Sequence, residues 1–300
     1  MNGVKTSIGE IEWRTVALGV FIYFGWIMVT LWHADLPWWA FSVVAAWFAA
    51  WQSSLQHEAV HCHPTRSETL NTLFAGWPLL IWLPYGVYRR QHLWHHRDGD
   101  LTDPTCDTES YYVSRDAWGR MGYIGQGLAW VLNTLAGRLV LGPPVIVTRF
   151  LWAEVGRVIA GEPEHRRAWI LHIPAAALVV AWLVFVAEMP LWLYLVAVVW
   201  PGSSLMLLRS FIEHRAAAPI AERTAIVDRA WPFSWLYLHN NLHVVHHAVP
   251  RAPWYELPAL YRARQAEISR DNGGYVFSGY GEVARRYLWR AKDHPAHPTI

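Results

Sequence analysis

Three histidine clusters carry the chemistry of this 300-residue chain: His57-Glu-Ala-Val-His61, His92-Leu-Trp-His95-His96 and His243-Val-Val-His246-His247. Half of its 16 histidines fall in these three windows. Residues three and four apart share one face of an α-helix, so each cluster points two or three imidazoles the same way. Neutral imidazole suits Zn, Cu, Fe and Ni, and eight such donors are too many for one tetrahedral zinc. Adjacent residues diverge by about 100° on a helix, so His95 and His96, or His246 and His247, can serve two different ions. Two cysteines, Cys62 and Cys106, cannot build a disulfide framework, a thiolate cage or an iron–sulfur site, and no C-x-x-C-H haem motif is present. The donor set favours two metal ions several ångström apart, with two irons activating O2 as the preferred assignment.

His57-Glu58-Ala-Val-His61 taken alone also fits the H-E-x-x-H pattern of zinc peptidases, with Glu58 as base. An intramembrane zinc protease on His57, Glu58 and His61 needs one further ligand and leaves the other two clusters idle. A metal carrier or sensor predicts histidines strung along a pathway, whereas only His172 falls in mid-span.

The elements that must position these histidines are apolar. The chain is 54% hydrophobic, includes 21 Trp and carries a net charge of only +2, which does not suggest a nucleic-acid surface. Four uncharged stretches, residues 15–33, 36–56, 168–187 and 189–208, are each about the 20 residues that cross a bilayer. The mixed-charge segment Lys5, Glu10, Glu12, Arg14 and the length of the first span argue against a cleaved signal. The short turns at Ala34-Asp35 and Glu188 contain no Lys or Arg, so the positive-inside rule puts both tips outside and both termini in the cytoplasm. All three clusters and His214 then share the cytoplasmic side. Thr69–Tyr88 is apolar but must not cross if His57 and His92 share a side, and Gly76, Pro78, Pro84 and Gly86 interrupt it; it reads as re-entrant or interfacial. Residues 122–151, interrupted by Arg138, Arg149 and Gly142-Pro143-Pro144, read as an amphipathic helix on the membrane. The fold expected is an all-α membrane protein: four transmembrane helices, interfacial helices and a cytoplasmic helical cap (209–300) holding a histidine-rich dimetal site, in one domain spanning 1–300. Arginine outnumbers lysine, which points to a GC-rich genome and a bacterial inner membrane.

With the clusters and spans in place, the sequence resembles the integral-membrane fatty acid desaturase/hydroxylase family, the histidine-box non-haem diiron enzymes. That family's H-x3-4-H, H-x2-3-H-H and H-x2-H-H boxes match the three clusters in order. Asp103-Pro104 resembles its Asp-Pro after the second box. Asn241-Leu-His-Val-Val-His-His247 with Pro250, Pro253-Trp254 and Leu257-Pro258 is similar to its third-box region, carotenoid ketolases included. The likeness covers roughly residues 40 to 260. It implies a ninth ligand, placed at His214, and an acyl-chain desaturase, with a hydroxylase or ketolase of a lipid or carotenoid as the alternative. It also implies an O2 co-substrate and two Fe ions. Acyl-CoA desaturases carry a water-holding asparagine where Ser210 stands here, so Ser210 or Glu213 substitutes for it. The third box opens on His243 rather than glutamine. No cytochrome b5 motif is fused, which calls for a separate donor of ferredoxin, rubredoxin or cytochrome b5 type.

Around the boxes, Glu58 and Asp103 are placed to orient imidazoles. His239, one helical turn before His243, is a candidate for contact with ligands or substrate. The aromatic stretch from Trp77 to Tyr88, with the spans, is expected to wall an apolar groove. His33, His63, His165, His172, His294 and His297 lack ligand spacing and read as hydrogen-bonded packing residues.

Overall fold

The computed structural model describes residues 11–96, 99 and 101–300, which are mostly helical. Lys5 and Glu10 of the mixed-charge segment lie outside the described residues. Helices α1 (Trp13–Leu31) and α2 (Trp38–Val60) form a first hairpin. α3 (Glu68–Ala75), N-capped by Ser67 Oγ, leads through an irregular stretch to α4 (Tyr85–His95). Gly76, Pro78 and Pro84 thus do interrupt the apolar run 69–88, whereas Gly86 lies inside α4.

Residues 122–151 are not one amphipathic helix. They form α6 (Tyr123–Leu132) and α7 (Leu135–Val140), after a short α5 (Arg115–Arg120), and the start of α8 (Gly142–Ala160). The Thr134 hydroxyl caps α7, and Gly142-Pro143-Pro144 begins α8 rather than breaking it, because proline lacks only an N–H that a first turn leaves unpaired. Arg138 is buried, its Nε donating to the Leu132 carbonyl at 2.8 Å.

The second long hairpin pairs α9 (Pro163–Val186) with α10 (Leu191–Glu213). Both outrun the apolar stretches that announced them: α9 begins five residues earlier, through Glu164, Arg166 and Arg167, and α10 continues to Glu213. Along α10, Leu195–Val199 forms a wide π-helical turn. Pro201 explains it, since proline has no N–H for the Ala197 carbonyl and its ring presses against that turn. Ser42 of α2 donates its hydroxyl to the freed carbonyl at 2.7 Å. α1, α9 and α10 are each long and apolar enough to cross a membrane. α2 has the length, 23 residues, but is not as apolar as those three.

The C-terminal segment holds α11 (Phe233–Leu236), α12 (His243–Ala248), α13 (Leu257–Asp271) and α14 (Tyr280–Tyr287). Two short strands, β1 (Ile226–Val227) and β2 (Val276–Phe277), pair in parallel. One core cluster between the hairpins includes Trp26, Phe41, Leu79, Leu183 and Tyr194. A second, with Phe211, Ile212, Tyr237, Phe277 and Val283, locks the end of α10 to the C-terminal segment. Gly202 sits where α10 crosses α2: a Cβ there would stand 2.9 Å from Leu80 Cδ2 and 3.4 Å from the Ala46 carbonyl oxygen. The ends of α2, α4 and α10 are thereby brought together with α12.

Candidate metal centre

The four elements deliver nine histidines to two adjoining donor sets. His57, His61, His92, His96 and His246 form one; His95, His214, His243 and His247 form the other, and within each set the candidate donor atoms lie within 4.8 Å of one another. Both adjacent pairs are split, His95 from His96 and His246 from His247, as the 100° divergence on a helix requires. The stacked rings of His96 and His247, centroids 4.3 Å apart, join the sets.

The Nε2 atoms face one another. His92 Nε2 lies 3.0 Å from His61 Nε2 and 3.1 Å from His96 Nε2, which is 3.0 Å from His246 Nε2. In the other set His243 Nε2 lies 3.0 Å from His214 Nε2 and 3.1 Å from His247 Nε2. The opposite ring nitrogens fix the tautomers: His92 Nδ1 donates to Glu109 Oε1 and His95 Nδ1 to Asp107 Oδ1, both at 2.7 Å, and His243 Nδ1 donates to Asn240 Oδ1 at 2.9 Å. Nε2 of these three rings is left with a lone pair turned inward. His95 Nε2 has no hydrogen-bond partner among the described residues. Such converging lone pairs are satisfied together by a cation. Two donors about 3.0 Å apart that share an ion at about 2.1 Å subtend roughly 90° at it, closer to octahedral than to tetrahedral geometry. The residues present fit a pair of metal ions better than one zinc.

Electrostatics agree. Burial, reinforced by neighbouring imidazoles, drives His61, His243, His246 and His247 well below the ordinary histidine value. His96 and His214 are pushed down to about 3 by burial and by the imidazoles beside them. His92 is also lowered by burial, against the pull of Glu109. His95 moves the other way, to about 9: burial opposes protonation, but Glu109 and Asp107 together outweigh it. A protonated His95 would bury an unpaired Nε2–H, so a cation on that nitrogen resolves the conflict. Burial raises the Glu109 carboxyl, yet His92 and His95 hold it well below the usual range.

The supporting residues differ from those expected. Asp103 accepts from the Thr105 amide and hydroxyl at 2.7 Å each and so shapes the turn after the second cluster; it touches no cluster histidine. The imidazole-holding carboxylates are Asp107 and Glu109. Asp107 is itself fixed by the amides of Thr102 and Glu109. Glu58 Oε1 stands 3.7 Å from His57 Nδ1, and its Oε2 accepts from the Trp254 amide at 3.1 Å, tying α2 to the Pro253-Trp254 turn. That engagement speaks against a free base. Ser210 bonds the Tyr111 hydroxyl at 2.9 Å. Glu213 pairs with Arg209 at 2.9 Å and lies 3.4 Å from His243 Nδ1. His239 is not a turn before His243 on one helix: α12 starts at His243, and His239 has φ 60° in the preceding turn, its ring stacked on Trp254.

Two further features escaped the sequence reading. Asn240 contacts both sets, through His243 and through His57 Nε2 at 3.3 Å; the Asn240-Asn241 pair before the third cluster was its signal. A largely apolar cavity of about 440 Å3, lined by Val245, Ala248, Leu260, Ala263 and Ile268, reaches His247. Its walls come from the C-terminal segment with Gly99, Leu101, Ile220, Ala221 and Thr224, not from the Trp77–Tyr88 stretch, where Leu79 and Leu80 are packed into the core. The remaining histidines are hydrogen-bonded packing residues: His63 to Glu12, His172 to the Ile81 carbonyl and His297 to Thr102, for example.

Membrane-length helices, joined by the short helices α4 and α12, that bring nine imidazoles into two nests, each able to hold a metal, define a histidine-box membrane protein. The comparison with known families makes the class particular: the model of the fatty acid desaturase family matches residues 36–279, and the chain belongs to that family. No curated protein matches the chain significantly. Membership makes it a membrane oxidoreductase of a family that acts on acyl chains and typically uses iron, and the histidine nests are compatible with such a metal.

Proposed function

We propose that the chain is an O2-dependent diiron oxidoreductase that desaturates the acyl chain of a fatty acid or lipid. The observation that carries this reading is the division of nine imidazoles into a set of five and a set of four, the candidate donor atoms of each lying within 4.8 Å of one another. His57, His61, His92, His96 and His246 would hold one iron; His95, His214, His243 and His247 would hold the other. Bound iron supplies the two-electron activation of O2 needed to cleave an unactivated C–H bond. The reaction balances as R–CH2–CH2–R′ plus O2, two electrons and two protons giving R–CH=CH–R′ and two waters. A separate donor of ferredoxin, rubredoxin or cytochrome b5 type provides the electrons.

The chain's own residues do the positioning. Asp107 and Glu109 fix two imidazoles and raise their basicity, Asn240 ties the two sets, and the apolar cavity beside His247 holds the hydrocarbon and keeps water away from it. The topology that goes with this reading has α2 as a fourth crossing, both termini and all nine histidines on the cytoplasmic side, and residues 209–300 as a cap, in one domain of a bacterial inner-membrane protein. A zinc protease on His57, Glu58, His61 and one further ligand leaves six converging histidines without work and uses a glutamate already hydrogen-bonded to Trp254.

The test is metal content of detergent-purified protein with His95→Ala and His246→Ala alongside, followed by lipid product analysis in cells expressing each. Two irons per chain, diminished in both variants, and a new double bond made only by the wild type are expected. One zinc retained in both variants would overturn the diiron reading. An alcohol or ketone product would move it to a lipid or carotenoid hydroxylase or ketolase.

A further inference from the structure

Outside the metal centre lies a buried polar relay with no part in it so far. Glu154 of α8 is completely buried and accepts three hydrogen bonds: from His165 Nδ1 at 2.6 Å, Arg157 at 2.8 Å and Trp169 Nε1 at 3.1 Å. His165, also buried, meets Arg90 of α4 at its other nitrogen, with the half-exposed Glu162 3.3 Å away. Arg90 donates to His165 and His165 donates to Glu154, so the imidazole bridges a cation and an anion.

The relay's place in the fold gives it meaning. Arg90 is two residues before His92 on the helix that carries the second cluster. One turn back, α4 approaches α9 so closely that a Cβ on Gly86 would stand 3.1 Å from Ala168 Cβ. Gly86 against Ala168 and Arg90 against His165 are successive contacts along one helix pair, so they fix both the distance of α4 from α9 and its rotation about its own axis. Rotation matters here because His95 and His96 serve different donor sets, and a turn of α4 moves one ring in as it moves the other out. The apolar alternative, a leucine at 165, would fill the space without telling α4 where to stop.

We propose that His165 is a positioning residue for the metal centre, acting through Arg90 to set the rotation of the helix that presents His92, His95 and His96. This inference rests on the metal-centre reading above. The expected effect of His165→Leu is a fall of up to about tenfold in iron affinity, the lower end of what outer partners of metal ligands give, with an altered Mössbauer quadrupole splitting in the iron that remains. His165→Gln should restore both, since its amide oxygen accepts from Arg90 and its amide nitrogen donates to Glu154.

Iron titration, Mössbauer spectra and thermal unfolding in detergent are read on wild type and both variants. Iron loss and a changed spectrum in His165→Leu at unchanged Tm, both recovered in His165→Gln, support the proposal. Wild-type iron affinity and spectrum in His165→Leu would overturn it while leaving the diiron reading intact. Equal iron loss in both variants, tracking a lowered Tm, would also overturn it, making His165 a stability residue. A wild type that binds no iron overturns the diiron reading itself, and this inference with it.

Discussion

A histidine ligand is only as good as the atom behind it. Asp107 holds His95 Nδ1 at 2.7 Å while two backbone amides hold Asp107, so the imidazole is fixed through three hydrogen bonds that involve no metal. Replacing Asp107 with alanine frees the ring to rotate and removes one of the two charges, with Glu109, that raise its basicity. Iron affinity should fall about 10- to 100-fold, read by iron titration of the purified variant; an unchanged affinity would show that His95 needs no orienting partner. At this scale the sequence was generous with ligands and reticent about their supports. The eight cluster histidines were legible as a converging set because helical spacing gives each a direction, whereas His214 was added on the strength of the family resemblance. Asp107, Glu109 and Asn240 were not, because they sit on turns where spacing implies no face. Asp103 drew notice as the carboxylate before a proline, yet its short reach closes on Thr105 in its own turn.

Between elements, the two donor sets depend on how closely the long helices pack. The α2–α10 crossing places Gly202 against Ala46 and Ala49, small residues that let backbones approach, as in other membrane helix pairs. His57 and His61 lie at one end of α2, and His214 directly follows α10, so wedging this crossing separates the sets. Gly202→Val should destabilise the protein by about 1–3 kcal/mol through overpacking and lower iron occupancy in the same variant, measured by SDS or thermal unfolding together with metal analysis. Loss of stability at full occupancy would place the crossing outside the chain of contacts that shapes the site. The spans were legible as runs of uncharged residues, which read polarity and not helix ends. Hence α9 begins earlier, among charged residues, and α10 continues through Arg209 and Glu213 to the site. The break of residues 122–151 into three helices was illegible for a related reason: Thr134 caps α7, and a cap is one hydroxyl in an otherwise apolar stretch.

Over the whole molecule, burying nine imidazoles at close quarters makes the metal-free protein sensitive to acid. His61, His243, His246 and His247 titrate well below about 6.5 in the folded chain, and His96 and His214 near 3. Below about pH 6.5 the unfolded chain takes up protons at these positions and the folded chain does not, so stability is complete above that value and falls as pH drops toward 3. His95 contributes with the opposite sign: its folded value is raised to about 9, so its share is complete below 6.5 and is lost as pH rises through 9. Seven depressed histidines, His92 among them, outnumber one raised one, and the acid limb should therefore be the steeper. The Tm of metal-free protein in detergent is expected to rise from pH 5 to 7, level off, and decline slightly between pH 8 and 10. Asp107→Asn should shrink that alkaline decline while leaving the acid limb in place, because it removes one of the two charges that raise His95, Glu109 keeping the other, but not the burial that lowers the other histidines. Iron loading should shift the acid limb downward in pH, since protons must then compete with metal for the same nitrogens. A metal-free Tm that stays flat from pH 5 to 7 would mean that the imidazoles reach water before the chain unfolds, and that the nests close only when filled.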